Sequence, residues 1–425
     1  MPSGLRLLIA AQFFSAVADN ALLIVTMAVL HERGMAPWWA PLLKFAFTIS
    51  YVVLAPFVGA LADAWPKARL MGWMNGVKIA GAIAVLVGAH PVAAFAVVGF
   101  GAAAYAPAKY GLTTELVPPE RLVAANGMLE VSVVCAVLLG TALGGALTGA
   151  VWFDSAVFDA LAPAVAALGP WTREPLDASL TVVLAFYALA SVVNVGVPDS
   201  GVRYPAAAFH PRALWREFRV ANRTLWHDRE GGLSLAVTTI FWGVGATLQF
   251  VVLRWAADVL ELPLDRAAYL QLAVAVGVMI GAAAAGRFVA LAQAHRMLVF
   301  GVAFGLAMPL VALVDRVLLA LPLLVLAGVL GGALIVPLNA LLQHRGCTLL
   351  SAGRSIAVQG FNENASILLL LGIYAGLVAL DVSIVTVMAG LGFAVAAAVW
   401  GLMRRARRVW SGPASERRAF ADSRR

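Results

Sequence analysis

Charge is what this chain lacks most. Asp, Glu, Lys and Arg make up only 12% of its 425 residues, about half the ~25% of a soluble globular protein. Soluble domains are therefore the wrong unit for dividing the length, and the bilayer-spanning helix of about 20 apolar residues replaces them. Polar alternation is missing as well. The run from Val317 to Val336 carries no charge and no two-residue alternation, which excludes a membrane β-barrel and leaves helices as the way to satisfy the backbone in lipid. Lysine is scarce, at four against 26 arginines in a net charge of +8. Most of these arginines sit in short loops and near the C-terminus, where membrane topology is a simpler cause than nucleic acid. There are two cysteines, Cys135 in an apolar segment and Cys347 in a short basic loop, and neither suggests a disulfide or a cysteine-based metal site. Asp19 and Asn20 interrupt the first apolar segment and no small-residue cleavage site closes it, so it reads as a retained span.

What is present is hydrophobicity, 62% of residues with a mean hydropathy of +0.90. Apolar windows bounded by charge, proline or glycine predict twelve spans near 5–30, 41–62, 70–89, 92–112, 122–150, 178–197, 233–256, 267–291, 297–314, 317–341, 355–379 and 382–403. Loops after even-numbered spans hold Lys67 and Arg69, Arg121, the Arg203–Arg229 segment, Arg296, and Arg345 with Arg354, and Arg404, Arg405, Arg407 and Arg408 follow the last span. The odd-numbered loops hold Arg33, Arg173, Arg266 and Arg316. Both termini are therefore expected in the cytoplasm. Residues 198–232 form a basic linker with Trp215 and Trp226, read as a surface helix joining two halves, with a helix lying on lipid as the alternative. Residues 151–177, with Trp152, Phe153, Phe158 and Trp171, predict a short helix at the outer interface.

The chain repeats itself. Gly127-Met128-Leu129-Glu130 in span 5 parallels Gly360-Phe361-Asn362-Glu363 in span 11, and Pro107 in span 4 parallels Pro337 in span 10. Each proline follows a Gly-Ala run. The expected organisation is a six-helix half over 1–197, a cytoplasmic linker over 198–232, a second half over 233–403 and a basic tail over 404–425. An all-α polytopic protein of twelve helices in two six-helix halves resembles the major facilitator fold, whose substrate site lies between the halves near mid-membrane. Gly59-Ala60-Leu61-Ala62-Asp63 with Lys67-Ala68-Arg69 also resembles that superfamily's loop between spans 2 and 3, departing from it at Ala64 and Pro66. Gly59 permits close helix approach. Asp63 can bond helix-end amides or a cation in one conformation only, so Gly59, Asp63, Lys67 and Arg69 are the expected conformational switch. The competing reading is a plain charged loop.

More specific blocks occur in order along the chain: Asp19-Asn20-Ala21-Leu22-Leu23, Ala55-Pro56-Phe57-Val58-Gly59, Ala106-Pro107-Ala108-Lys109-Tyr110-Gly111, Ala125-Asn126-Gly127-Met128-Leu129-Glu130, Val336-Pro337-Leu338-Asn339, and Gln359 with Asn362-Glu363-Asn364. From Ala10 to Tyr374 the chain resembles the bacterial lysophospholipid transporter family. The resemblance implies movement of lysophospholipids such as lysophosphatidylethanolamine from the outer to the inner leaflet of the bacterial inner membrane, without a coupled ion. It also implies re-acylation by a cytoplasmic acyltransferase–acyl carrier protein synthetase. A monomer without cofactor or metal is expected.

Such a substrate needs a small polar centre in an apolar cavity, and ionisable residues inside a membrane are functional candidates by default. At about 1.5 Å per residue Asp19 lies near mid-membrane, and Glu130 and Glu363 lie at matching depths. Asp19, Asn20, Lys109, Glu130, Glu363 and Asn364 are the expected substrate-binding residues, carboxylates for an ammonium and lysine for a phosphate, and Lys78 in the inner half of span 3 belongs to the same scatter of charge. Against this, Lys109 and Glu130 could form a structural ion pair, Asn20 and Asn364 could bridge helices, and Lys44, Lys78 and Arg287 could snorkel to an interface. Gln343 reads as a helix-end residue. One departure stands out: Gln249 occupies the span-7 position where the resembled family carries Arg, and Arg254 is about 140° further round the helix.

Two other functions compete. A proton-coupled drug or metabolite transporter of the same fold tends to show an Arg in span 4 and a Gly-Pro pair in span 5, and both are missing. A membrane-bound lipid acyltransferase needs H-x-x-x-x-D, and none of the six histidines has an Asp five positions on. With no phosphate loop, nucleophile elbow or metal cluster in the sequence, a non-enzyme is expected.

Overall fold

A computed structural model describes residues 3–36, 39–167, 169, 175–204 and 210–410. The described residues are helical throughout, without a strand. The long helices of the first half are α1 (Ser3–Glu32), the pair α2 (Trp39–Val53) and α3 (Ala55–Ala64), α4 (Lys67–Leu86), α5 (Pro91–Leu116), α6 (Leu122–Ala146) and, after the short α7 (Ala150–Phe153) and α8 (Ala156–Ala166), α9 (Pro175–Val195). The linker helix α10 (Pro211–His227) leads into α11 (Arg229–Asp258), α12 (Leu264–Phe288), α13 (Leu298–Ala312), α14 (Val317–Leu349), α15 (Ala352–Ala379) and α16 (Ile384–Trp410). Trp171 and Arg173 of the expected interfacial segment, and residues 411–425 of the expected tail, lie outside the described residues.

Ten of these helices are long and apolar enough to cross a membrane, and the α2–α3 pair makes an eleventh span bent by 65°. The break falls at Leu54. Pro56 at the start of α3 has no N–H to continue the α2 ladder, so the chain turns and a new helix begins. The third expected span, α4, carries Lys67, Arg69 and Lys78 in 20 residues and so misses the apolar criterion. It still packs against α5 and α9, and counting it with the eleven is consistent with the expected twelve. Each half has its own apolar core. Leu22, Phe95, Val183 and Tyr187 centre one, with a second cluster around Leu8, Met71 and Leu112. Trp255, Met308, Leu324 and Val399 centre the other half.

Small residues set the closest helix contacts. Gly277 and Gly281 of α12 face Gly328 and Gly332 of α14, and a Cβ on Gly277 would lie 2.9 Å from the Gly328 Cα. This is the small-xxx-small crossing that lets backbones approach where no hydrophobic effect drives helices together. Two expected boundaries move. The tenth span, expected to end near 341, continues as helix to Leu349, and the eleventh begins at Ala352. The polar stretch Gln343-His344-Arg345 therefore lies within a helix of about 50 Å, longer than the hydrocarbon it crosses.

Candidate functional site

Asp19, on α1, is held by two side chains from different helices. Lys78 Nζ of α4 lies 2.7 Å from its Oδ2, and the Tyr187 hydroxyl of α9 donates to its Oδ1 at 2.7 Å. The ammonium of Lys78 also donates to Ser15 Oγ at 3.0 Å and stands 5.0 Å from the Tyr105 ring centroid. Ser15 donates to Asn75 Oδ1 at 2.9 Å. Asp19 and Ser15 meet α4 together because they are four residues apart on one helix face, as Asn75 and Lys78 are at three. Asp19 keeps 17% of its side chain exposed while Lys78 keeps 3%. The snorkelling alternative for Lys78 is thus corrected: its ammonium points into the half and compensates a carboxylate, the cheaper arrangement for two charges in a low-dielectric interior.

A second polar group lies nearer the linker, and both halves contribute to it. Lys109 of α5 donates to Gln12 Oε1 at 3.4 Å and sits 4.2 Å from the Tyr110 ring centroid. Gln12 in turn donates to Ser132 Oγ at 2.9 Å. Glu130 of α6 is buried within electrostatic reach of Lys109, and among the described residues no ion pair joins them within 4.0 Å. The direct structural pair weighed for Lys109 and Glu130 does not form. From the other half, Glu363 accepts from Gln359 Nε2 at 2.8 Å, and the same amide nitrogen donates to Asn339 at 3.0 Å. Tyr110 lies within electrostatic reach of both Glu130 and Glu363. Asn20 and Asn364 each donate to a carbonyl one turn back on their own helix, Ala16 and Gly360, both at 2.8 Å. In this conformation they do not bridge helices. Gln249 is exposed, its carbonyl accepting from Gln271 at 2.7 Å, and Arg254 pairs with Asp258 at 3.2 Å. Arg254 therefore does not replace the charge absent at 249.

Where α10 lies, which we call the linker end, the halves are latched together. The Asp63 carboxylate of α3 accepts the Ser351 hydroxyl and, at 2.9 Å, the Gly353 N–H. It thus caps the first turn of α15 from the opposite half, where a helix has free N–H groups and positive potential. The capping is close because two glycines make the crossing. A Cβ on Gly59 would lie 2.9 Å from Ala357 Cβ and 3.0 Å from Arg354 Cα, and one on Gly353 would lie 2.7 Å from an Asp63 oxygen. Asn126 of α6 and Gln343 of α14 form a reciprocal amide pair, each Nδ2 or Nε2 donating to the other's oxygen at 2.8 and 2.9 Å. Gln343 is therefore no frayed helix end: it is 1% exposed and spans the halves. Lys67 is buried as well, 2.7 Å from Glu115, which also accepts from Ser200 at 2.6 Å. Lys67 thus braces the inside of its own half, while Arg69 is exposed. These contacts close the bundle at the linker end. On α15 the buried residues run from Ala352 to Gln359, and the rest of the helix toward the far end is only partly buried.

Sequence reasoning left Lys78 open between a headgroup role and an interface, and missed Tyr187, Gln12 and the place of Gln343. The spacing of Ser15 to Asp19 and of Asn75 to Lys78 was a usable signal for the first. Nothing in the sequence singles out Tyr187.

Comparisons with known proteins place the fold and the family. The Major Facilitator Superfamily profile matches residues 8–369. The lysophospholipid transporter LplT of Yersinia enterocolitica is 41% identical over 384 residues, covering 90% of this chain and 89% of that protein. LplT of Yersinia pestis is 41% identical over 379 residues, covering 89% and 87%. Among solved structures, a bacterial homologue of the iron transporter ferroportin in an outward-facing state superposes with a TM-score of 0.69 at 16% identity, covering 97% of this chain and all of that one. The Escherichia coli fucose:proton symporter FucP gives 0.70 at 12% identity, covering 94% and 97%. Both structures support the fold alone. The chain belongs to the Major Facilitator Superfamily and, within it, to the LplT family of lysophospholipid transporters.

Proposed function

We propose that this chain carries lysophospholipids between membrane leaflets by alternating access, binding the headgroup between its halves. One observation carries the reading beyond the likeness to LplT. Inside an apolar bundle, a buried carboxylate–ammonium pair, Asp19 with Lys78, retains an exposed edge on the carboxylate only. A zwitterionic headgroup presents one ammonium and one phosphate. It can exchange with that pair charge for charge, its ammonium at Asp19 and its phosphate at the lysines, with no net charge left in a low-dielectric site. Lys109 offers the phosphate a second cation, and Glu130 and Glu363 give the site a carboxylate from each half. Asn20 and Asn364, bonded only to their own helices, have amides free to turn to a ligand. The acyl chain is left to the apolar walls.

Gly59 and Asp63 act on conformation in this proposal, with Lys67 bracing their loop from within its own half and Arg69 left to the linker-end surface. The latch at Ser351 and Gly353 exists only while the linker end is closed, so its carboxylate stabilises one of the two states and leaves ligand contacts alone. The arginines at the linker end argue for a cytoplasmic linker and cytoplasmic termini in the bacterial inner membrane. Residues 1–197 and 233–403 would then be the rocking halves, joined by 198–232. The direction is from outer to inner leaflet, where a cytoplasmic acyltransferase–acyl carrier protein synthetase restores the second chain. The test is uptake of labelled lysophosphatidylethanolamine by vesicles holding the purified protein. Saturable uptake above protein-free vesicles is expected, and a rate equal to theirs contradicts the proposal.

A further inference from the structure

The linker helix α10 has two faces of different chemistry. Phe218, Ala221 and Leu225 are buried in a cluster with Ala55 of α3, Leu235 of α11 and Val358 of α15, and Leu214 is buried on the same face. The Phe218 and Phe361 rings meet edge to face at 5.2 Å. Polar contacts fix the docking: Arg354 donates to Glu217 at 2.7 Å, and Asn362 donates to Asn222 at 2.9 Å and accepts from the Trp226 indole at 3.1 Å.

On the opposite side, Arg212, Arg216, Arg219 and Arg223 are all exposed. Their spacing of four, three and four places them within about 60° of arc, roughly opposite the buried face. Trp215 and Trp226, 44% and 39% exposed, both lie along one side of the stripe. None of these four arginines has a role in the site or the latch described above.

The position of α10 says what this face meets. Its contacts on α15 run from Arg354 to Asn362, which are about 3 and 15 Å along that helix from its first residue. It therefore lies beside the spans, at the depth of the headgroup layer and the outermost hydrocarbon, and not beneath them. Indole rings favour that layer, and arginine pairs with phosphate oxygens there. The geometry points to the outer face of α10 as a docking surface for anionic phospholipid headgroups of the leaflet at the linker end. The stripe recognises phosphate diesters that carry net negative charge, such as phosphatidylglycerol, in preference to zwitterionic lipid. Because α10 grips α3 of one half and α15 of the other, the bound lipids sit directly outside the latch.

The surface is testable without any transport measurement, so its failure is separate from failure of the proposed function. The protein is placed in nanodiscs of equal parts phosphatidylglycerol and phosphatidylcholine, and the lipids retained on release are counted by native mass spectrometry. The wild type should retain phosphatidylglycerol preferentially. The variant R212Q/R216Q/R219Q/R223Q should lose that preference about tenfold or more, since each surface arginine attracts anionic lipid. Replacing the same four by lysine should keep most of it. Arg121→Gln, an exposed arginine in the turn after α5, should leave it unchanged. Thermal melting identifies any variant that has not folded, and for such a variant the pair R216Q/R219Q is used, with a smaller loss in the same direction. An unaltered preference in the folded glutamine variant overturns the assignment. So does a wild type that retains both lipids equally, which would leave the face to water or to an acidic soluble partner.

Discussion

Asp19, partly buried, and Asp63, buried, are both aspartates among apolar helices, yet they are compensated in different ways. Asp19 bonds Lys78 and Tyr187 of its own half, so its bonds survive any rigid rotation of one half against the other. Asp63 bonds Ser351 and Gly353 of the opposite half, so a rotation of one half against the other would break its bonds. The first arrangement suits a site that must persist through the cycle. The second suits a switch. The partner's address, not the residue type or its burial, separates the two roles.

The comparison breaks most visibly on stability if Asp19 loses its cation. Lys78→Met leaves a buried carboxylate unpaired, a change that costs roughly 3–5 kcal/mol, and the melting temperature in detergent should fall sharply. Pairing it with Asp19→Asn removes the stranded charge and should restore most of the melting temperature without restoring transport. A double variant as unstable as Lys78→Met would show that the ion pair is not what Lys78 contributes.

Asp63→Asn should leave the fold intact and act on the equilibrium between states. A charge-assisted hydrogen bond is worth about 1.5–3 kcal/mol, so the population closed at the linker end should fall about ten- to a hundredfold relative to the open one. Cysteine accessibility at the linker end should rise and transport should slow, with substrate affinity nearly unchanged. A loss of affinity as large as the loss of rate would move Asp63 into the ligand site. Gly59→Ala tests the same crossing sterically. Its new methyl would meet Ala357 and the Arg354 backbone near 3 Å and should shift accessibility in the same direction. The reciprocal Asn126–Gln343 pair is neutral, so Gln343→Leu should shift it less than Asp63→Asn does.

The smallest effect belongs to an aspartate outside the spans. Asp228 caps α11 by accepting the Gly231 N–H at 2.7 Å and pairs with Arg345 at 2.6 Å. Burial raises its pKa, but the Arg345 and Gly231 hydrogen bonds outweigh that and hold it below the ordinary 3.8. Its contribution, about 1 kcal/mol for a helix cap, is therefore present above pH ~4 and fades as pH falls through the folded value. Melting temperature should decline below pH ~4, and less steeply in Asp228→Asn. Identical slopes in the two proteins would remove Asp228 from the acid response.

Much of this was readable beforehand, for physical reasons that also mark the limit. Apolar runs and the paired Gly-x-x-Glu and proline positions gave the twelve-helix plan, because the bilayer imposes a length on every span. Asp63 was readable as a helix-end acceptor because its loop motif and location coincided. Gln343 was not, because a hydropathy estimate ends a span where polarity begins, whereas α14 continues to Leu349 and carries Gln343 into the interface. Lys78 was left between a headgroup role and snorkelling, because a lone lysine in an apolar helix fits both until the neighbouring helix is known. Its partner lies 59 residues away on α1, a relation no local pattern contains.

The central claim is that the edge of Asp19 left open by Lys78 receives the headgroup ammonium. It is tested most directly by Asp19→Asn, which keeps the shape and removes the charge. Transport of lysophosphatidylethanolamine and lysophosphatidylglycerol is compared in the same vesicles at matched protein density. The account predicts that affinity for the ethanolamine lipid falls about ten- to a hundredfold, the value of one charge-assisted hydrogen bond. The glycerol lipid, which has no ammonium, should lose markedly less. Equal loss for both lipids, or wild-type transport of both, would contradict it.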